Sequence, residues 1–403
     1  MNRIESSSRQ PRRPRSKSLA AFGAAVATWV LLVVPGQRSA EGTVLRDVSP
    51  SAPGVLPTSV ETATGTWASV PMGYLNQRLN TFWQLFFLPH RGSRWSNEAD
   101  LLGIATNGGL VLATPDGRSL LVGIPPSNHL EFSALVATAD GGRSWSPSAP
   151  ILGVDEGLAV SAGGNELALV KSTKGGQVLQ SSHNGSWRTL ITARSLSSLT
   201  SGGSCAPVGL TNVGFAPDGR QLVGATCGRK GVVGIFANEN GKWRLVGPSI
   251  PSSDRNDSVR VLSLQSGTNA TEAVLSIQTG SGSRIVTAGS PTGVGAWTVS
   301  TSLELGRTNR VVSIGTAGSL GVFVLSSAGL EDQLAVVDPK GGSWRLFPAL
   351  PAATATVAFP SPDEIDALVV NTNIMTDWVL QAPFRTWTKH QVVDVRILYG
   401  SSD

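Results

Sequence analysis

The chain has only two tyrosines, two cysteines and four histidines among its 403 residues. These residues are scattered, without the close Cys or His spacing that builds structural zinc sites, and no metal site is expected. Charge is scarce too, at 15% of residues, and the net +5 is confined to the first eighteen positions, where Arg3, Arg9, Arg12, Arg13, Arg15 and Lys17 stand against Glu5. The neutral remainder carries no basic patch interleaved with aromatics, which excludes nucleic acid as a partner. Also missing are a Gly-x-Ser-x-Gly elbow, a His-Glu-x-x-His helix, a phosphate-cradling glycine loop and an EF-hand, so no cofactor is implied. Beyond residue 65 helical periodicity almost vanishes, which argues against an α-helical body.

What is present begins with that basic end, followed by the uncharged run Leu19 to Val34 and Pro35-Gly36. A positive flank, an apolar core and small residues make an export signal. The run has sixteen residues, long for a signal core and short of the roughly 20 that span a bilayer comfortably. Residues 1–36 therefore read as a cleaved signal or a retained signal anchor. Either leaves the body extracytoplasmic, with membrane contact only through residues 19–34. Residues 37–65, rich in Ser, Pro, Thr and Gly, read as a spacer, and 66–403 as the folded domain. Cys205 and Cys227 suit the same compartment as a disulfide, two buried thiols being the alternative.

Two punctuation marks recur in step from there on. One is a tight turn between apolar runs, as in "TPDGRSLLV" (114–122), "SAGGNELAL" (161–169), "APDGRQLVG" (216–224), "TAGSLGVFV" (316–324) and "SPDEIDALV" (361–369). The other, mostly Gly-rich, precedes a tryptophan at positions 95, 145, 187, 243, 297, 344 and 387, a mean spacing near 49 residues. Short alternating strands at that period predict an all-β chain, a seven-bladed β-propeller with four-stranded blades. In 108–150 the four strands of one blade can be read directly, with Asn184-Gly185 and Asn240-Gly241 as hairpin signals at the third-to-fourth junction of later blades. The first blade looks incomplete, and "QVVDVRILYG" (391–400) alternates like a strand. It is expected to pair into the first blade and close the ring.

The stretch Thr138-x-Asp140-x-Gly142-x-Ser144-Trp145 closely resembles the Asp-box, or BNR repeat, of sialidases and other seven-bladed propellers. The resemblance implies that the motif occupies the turn between third and fourth strands, with the aspartate fixing the hairpin and the tryptophan packed into the blade. It is silent about activity, because the family includes both hydrolases and non-catalytic binders. A sialidase site also requires an arginine triad and a tyrosine nucleophile. Here the Phe-Arg-Ile-Pro signature is missing, and the two tyrosines lie at 74 and 399.

No catalytic residue is assigned on these grounds. The favoured expectation is an exported propeller that binds an extracellular protein or glycan through loops such as 196–207 and 248–258. The alternative is a divergent sialidase-like or two-carboxylate glycoside hydrolase, for which the doublets Asp155-Glu156, Glu331-Asp332 and Asp363-Glu364 supply acids.

Overall fold

The computed structural model describes residues 55–395 apart from 74–80, 100–105, 107, 116, 127–130, 173–175, 184, 200–204, 252–253, 267–269, 330 and 339–340. Short apolar strands joined by glycine turns build seven antiparallel meanders in chain order. The first is β1 (Thr58–Thr62), β2 (Gly65–Gly73), β3 (Thr81–Pro89) and β4 (Ser96–Asn97). The second is β5 (Val111–Ala113), β6 (Leu120–Ile124), β7 (Phe132–Thr138) and β8 (Ser146–Leu152). The third contains β9 (Val154–Val160), β10 (Glu166–Lys171), β11 (Gln177–His183) and β12 (Ser186–Thr192), followed by the short helix α1 (Ala193–Leu199), which takes up the start of the 196–207 loop. The fourth is β13 (Pro207–Phe215), β14 (Gln221–Cys227), β15 (Gly234–Glu239) and β16 (Lys242–Leu245). In the fifth, β17 (Ser258–Ser266), β18 (Thr271–Thr279) and β19 (Gly282–Ser290) carry a divided outer strand, β20 (Thr298–Val299) and β21 (Leu303–Gly306). The sixth repeats that division: β22 (Arg310–Thr316), β23 (Val322–Ala328) and β24 (Glu331–Val337), then β25 (Arg345–Leu346) and β26 (Leu350–Pro351). The seventh is β27 (Thr354–Ser361), β28 (Glu364–Asn371), β29 (Ile374–Gln381) and β30 (Thr388–Asp394).

The apolar side chains fall into seven clusters, and each straddles one pair of neighbouring blades, including the last with the first. Both faces of every blade are therefore covered, which is why the inner strands read as nearly continuous apolar runs. The ring is a seven-bladed β-propeller.

The tryptophan marks contribute a repeated inter-blade bond. Trp187 donates its indole N–H to the Ala149 carbonyl (3.0 Å), Trp297 to Val246 (2.6 Å), Trp344 to Thr301 (2.8 Å) and Trp387 to Pro348 (3.0 Å). In each case the acceptor lies on or beside an outer strand of the preceding blade. The Trp387 ring is buried and the other three are partly buried against their inter-blade clusters, while the one polar atom of each is satisfied. Cys205 and Cys227 form a disulfide, Cα atoms 4.7 Å apart, that ties the entry to β13 to the end of β14. Such a bond belongs to an oxidising, extracytoplasmic environment.

Three sequence expectations change. Residues 391–394 do not pair into the first blade; they complete β30, which pairs with β29 inside the seventh. The tryptophan mark precedes the fourth strand, so the residues after Trp387 had to supply that strand. The first blade already has four strands of its own, because β1 arises from "TSVET" inside the presumed spacer, where a Ser/Thr-rich composition conceals it. The folded region therefore starts earlier than residue 66, with Val55 and Leu56 already packed into it. The expected N-terminal apolar helix and residues 396–400 lie outside the described residues, among which no helix is long and apolar enough to cross a membrane.

Candidate functional site

The first strand of each blade lies innermost, so side chains on these strands decide what the axis of the ring presents. The run into β1 crosses that axis. Val55 packs with the cluster between blades one and two, whereas Leu56 packs with the one between blades five and six. Ser313 donates to the Pro57 carbonyl (2.7 Å), Thr58 to that of Ile314 (3.0 Å), and Ser59 to that of Val357 (2.6 Å). The axis is thereby filled at the level of Ser313 by the chain's own entry segment.

Toward the ends where the first strands begin, the lining turns charged. Glu156 on β9 is half-buried and accepts a hydrogen bond from the Gln177 side-chain amide at 2.9 Å. Burial raises its pKa, while that bond and the nearby Lys171 and Arg260 cations pull it down. Arg260, half-buried on β17, has its own pKa lowered by burial and raised by Glu156. Between them, Asn212 of β13 donates to the carbonyls of Val261 (3.4 Å) and Leu262 (2.7 Å), which fixes blade four to the strand that carries Arg260. One carboxylate, one amide and two cations form a mixed polar rim suited to hydrogen-bonding a polar ligand.

The three acid doublets do not add a second carboxylate there. Successive residues of a strand point to opposite faces, so a doublet on one strand diverges. Asp155 turns into the interface with blade two, fully buried, its Oδ1 accepting from the Gly157 N–H (3.1 Å) and its Oδ2 without a hydrogen-bond partner. Burial pushes it up to about 7, the Gly157 bond opposing and the Glu156 charge assisting. It fits only because position 123 is glycine: a Cβ there would stand 2.3 Å from Asp155 Oδ2. Asp332 is buried and accepts from the Thr354 N–H (2.8 Å), whereas its neighbour Glu331 is exposed. Asp363 is exposed on a turn, and Glu364 is engaged by Gln381 (3.2 Å). Among the described residues no three His, Cys, Asp or Glu side chains are grouped as metal ligands.

The motif at 138–145 lies at the β7–β8 turn. Asp140 accepts from the Ser144 hydroxyl (2.6 Å), the Ser144 N–H (3.0 Å) and the Thr138 hydroxyl (2.9 Å), and Gly142 donates its N–H to Thr138 Oγ1 (3.0 Å). These bonds, the Ser144 hydroxyl first, hold the exposed Asp140 carboxyl down at about 2. Gly142 has φ 84°, and a Cβ there would meet the Trp67 ring at 2.9 Å. Trp145 stands edge-on to Trp67, ring centroids 5.8 Å apart. A groove of about 680 Å³ adjoins this turn, lined by Phe87, Pro89, Glu98 and Arg143 among others.

A second pair of buried acids was not singled out from sequence. Asp366 on β28 and Asp377 on β29 are both buried, and both carboxyls are raised, burial being the main cause. An aspartate within each of the largely apolar runs "IDALVV" and "IMTDWVL" was the available signal.

No family model and no curated protein matches the chain by sequence. Solved structures match in fold. A GH74 enzyme of Niastella koreensis has a TM-score of 0.53 at 13% identity, over 81% of this chain and 52% of its own. A protein from Lactobacillus plantarum has a TM-score of 0.52 at 12% identity, over 82% of this chain and 96% of its own. The chain thus spans about half the length of the GH74 enzyme. At such identities the likeness is one of fold, and activity has to be argued from the site.

Proposed function

We propose that the protein is an exported propeller that binds an extracellular protein or glycan at the rim formed by Glu156, Gln177, Lys171 and Arg260, and performs no chemistry there. The observation that carries this reading is that, among the described residues lining this rim, Glu156 is the one carboxylate, held by Gln177 and facing cations, whereas glycoside hydrolysis needs two carboxyl groups placed about 5–9.5 Å apart across a bond. The bonds around Asp140 support kinship with the Asp-box propellers and a fastening role for Thr138, Asp140, Gly142, Ser144 and Trp145. The basic, apolar N-terminus and the disulfide support export, either as a secreted protein or one anchored by residues 19–34.

The test is a binding and turnover screen of the disulfide-intact protein against extracellular polysaccharides and secreted proteins from its host. Retention of an unmodified ligand is expected, with affinity falling at least about tenfold in Glu156→Ala or Arg260→Ala. Release of shortened saccharides that stops in Glu156→Gln would replace this reading with the hydrolase.

A further inference from the structure

Six of the seven blade junctions are crossed by the continuous chain. The junction between the last blade and the first is not, and no strand is shared across it. Ser59 bonds the Val357 carbonyl (2.6 Å) and the Gly73 N–H the Thr372 carbonyl (2.7 Å) across it, and toward the outer strands its polar contacts meet at Trp95. The Gln391 side chain brackets that residue's backbone, accepting from its N–H (2.8 Å) and donating to its carbonyl (3.0 Å), in the manner of a strand pair. At four other marks the tryptophan indole meets a backbone carbonyl, but that of Trp95 donates to Asp366 Oδ2 at 2.9 Å. Asp377 Oδ2 pairs with His390 Nδ1 at 3.0 Å. The remaining oxygens, Asp366 Oδ1 and Asp377 Oδ1, are buried without a hydrogen-bond partner.

We propose that this seam is a proton-operated latch: it is tight while Asp366 and Asp377 together retain a proton, and it loosens when both ionise. The groups facing the pair are Glu364 on the strand of Asp366, His390 on β30, and the Trp95 indole from blade one. Glu364 adds negative charge. The Trp95 and His390 bonds favour ionisation, but burial outweighs them, and both carboxyls are held above the ordinary range. Two neighbouring carboxylates in a dry junction repel, and ionising the second leaves charge on oxygens without donors. His390, with 42% of its side chain exposed, gives the pair a route for protons to solvent. The consequence is local: acid tightens the seam, and alkali weakens the one junction that the chain does not cross.

Hydrogen exchange followed by mass spectrometry, corrected for intrinsic rates, tests this on the whole protein. From pH 5.5 to 8.5, peptides over 95–97 and 388–395 should lose at least about tenfold in protection relative to peptides over 166–171, the change equivalent to one pKa unit. Asp366→Asn keeps an acceptor for Trp95 but cannot ionise, and Asp377→Asn removes the other charge. In either variant the loss should largely disappear. Equal loss at every blade, or an unchanged loss in both variants, overturns the latch. The wild-type comparison stands by itself should a variant fail to fold.

Discussion

Gly123 and Asp155 show how tightly single positions are matched. A methyl group at 123 would press on the Asp155 carboxyl, so Gly123→Ala should cost on the order of 1–3 kcal/mol in urea unfolding. Most of that loss should vanish in the Gly123→Ala/Asp155→Ala background, because the clash is pairwise. At the β7–β8 turn, Asp140→Ala removes three acceptor bonds, and its thermal midpoint should fall while ligand affinity is unchanged. An affinity loss at least as large as that of Glu156→Ala would instead make Asp140 part of the site. The hydrogen-bonded turn around Asp140 was legible because its residues are all local. Glu156 was visible only as half of a doublet: which of two adjacent acids faces the axis depends on strand register, which a sequence leaves open. Asp366 and Asp377 were missed for a related reason. Their proximity comes from pairing between two strands and from a blade nearly the whole chain away.

Strands and turns announced themselves better than single residues. The glycine turns and tryptophan marks located the blades, and the second blade's four strands fall where alternation put them. Failure came where composition misled: β1 has a single large apolar residue, Val60, and so passed for spacer. The tryptophan bridges are separable contributions. Trp187→Phe keeps most of the partly buried ring but leaves the Ala149 carbonyl without its indole donor, and a loss of about 1 kcal/mol is expected by chemical denaturation. The disulfide closes a separation of 22 residues. Replacing both cysteines by alanine should cost roughly 3 kcal/mol by the loop-entropy argument, with blade four the first to lose exchange protection.

For the molecule as a whole, the raised buried acids set the pH dependence of stability. Folded Asp155 keeps its proton to about pH 7, whereas in the unfolded chain it would ionise near pH 4. The folded state therefore binds the extra proton, its stabilising effect is complete below pH 4, and stability falls as pH rises from about 4 to about 7. Asp366 and Asp377 act in the same direction. Thermal midpoints should be higher at pH 5 than at pH 8, and Asp155→Asn should flatten the part of the curve below pH 7. A midpoint that rises with pH across this window would mean that these carboxyls are ionised in the folded protein.

The position of the chain break relative to the ring carries a consequence for how such a molecule is inherited. Because the break falls between blades, every blade is built from one continuous stretch of roughly forty to fifty residues. Duplication or loss of such a stretch adds or deletes a whole sheet and never leaves a sheet short of a strand. A ring closed by a borrowed strand has no such freedom at its ends.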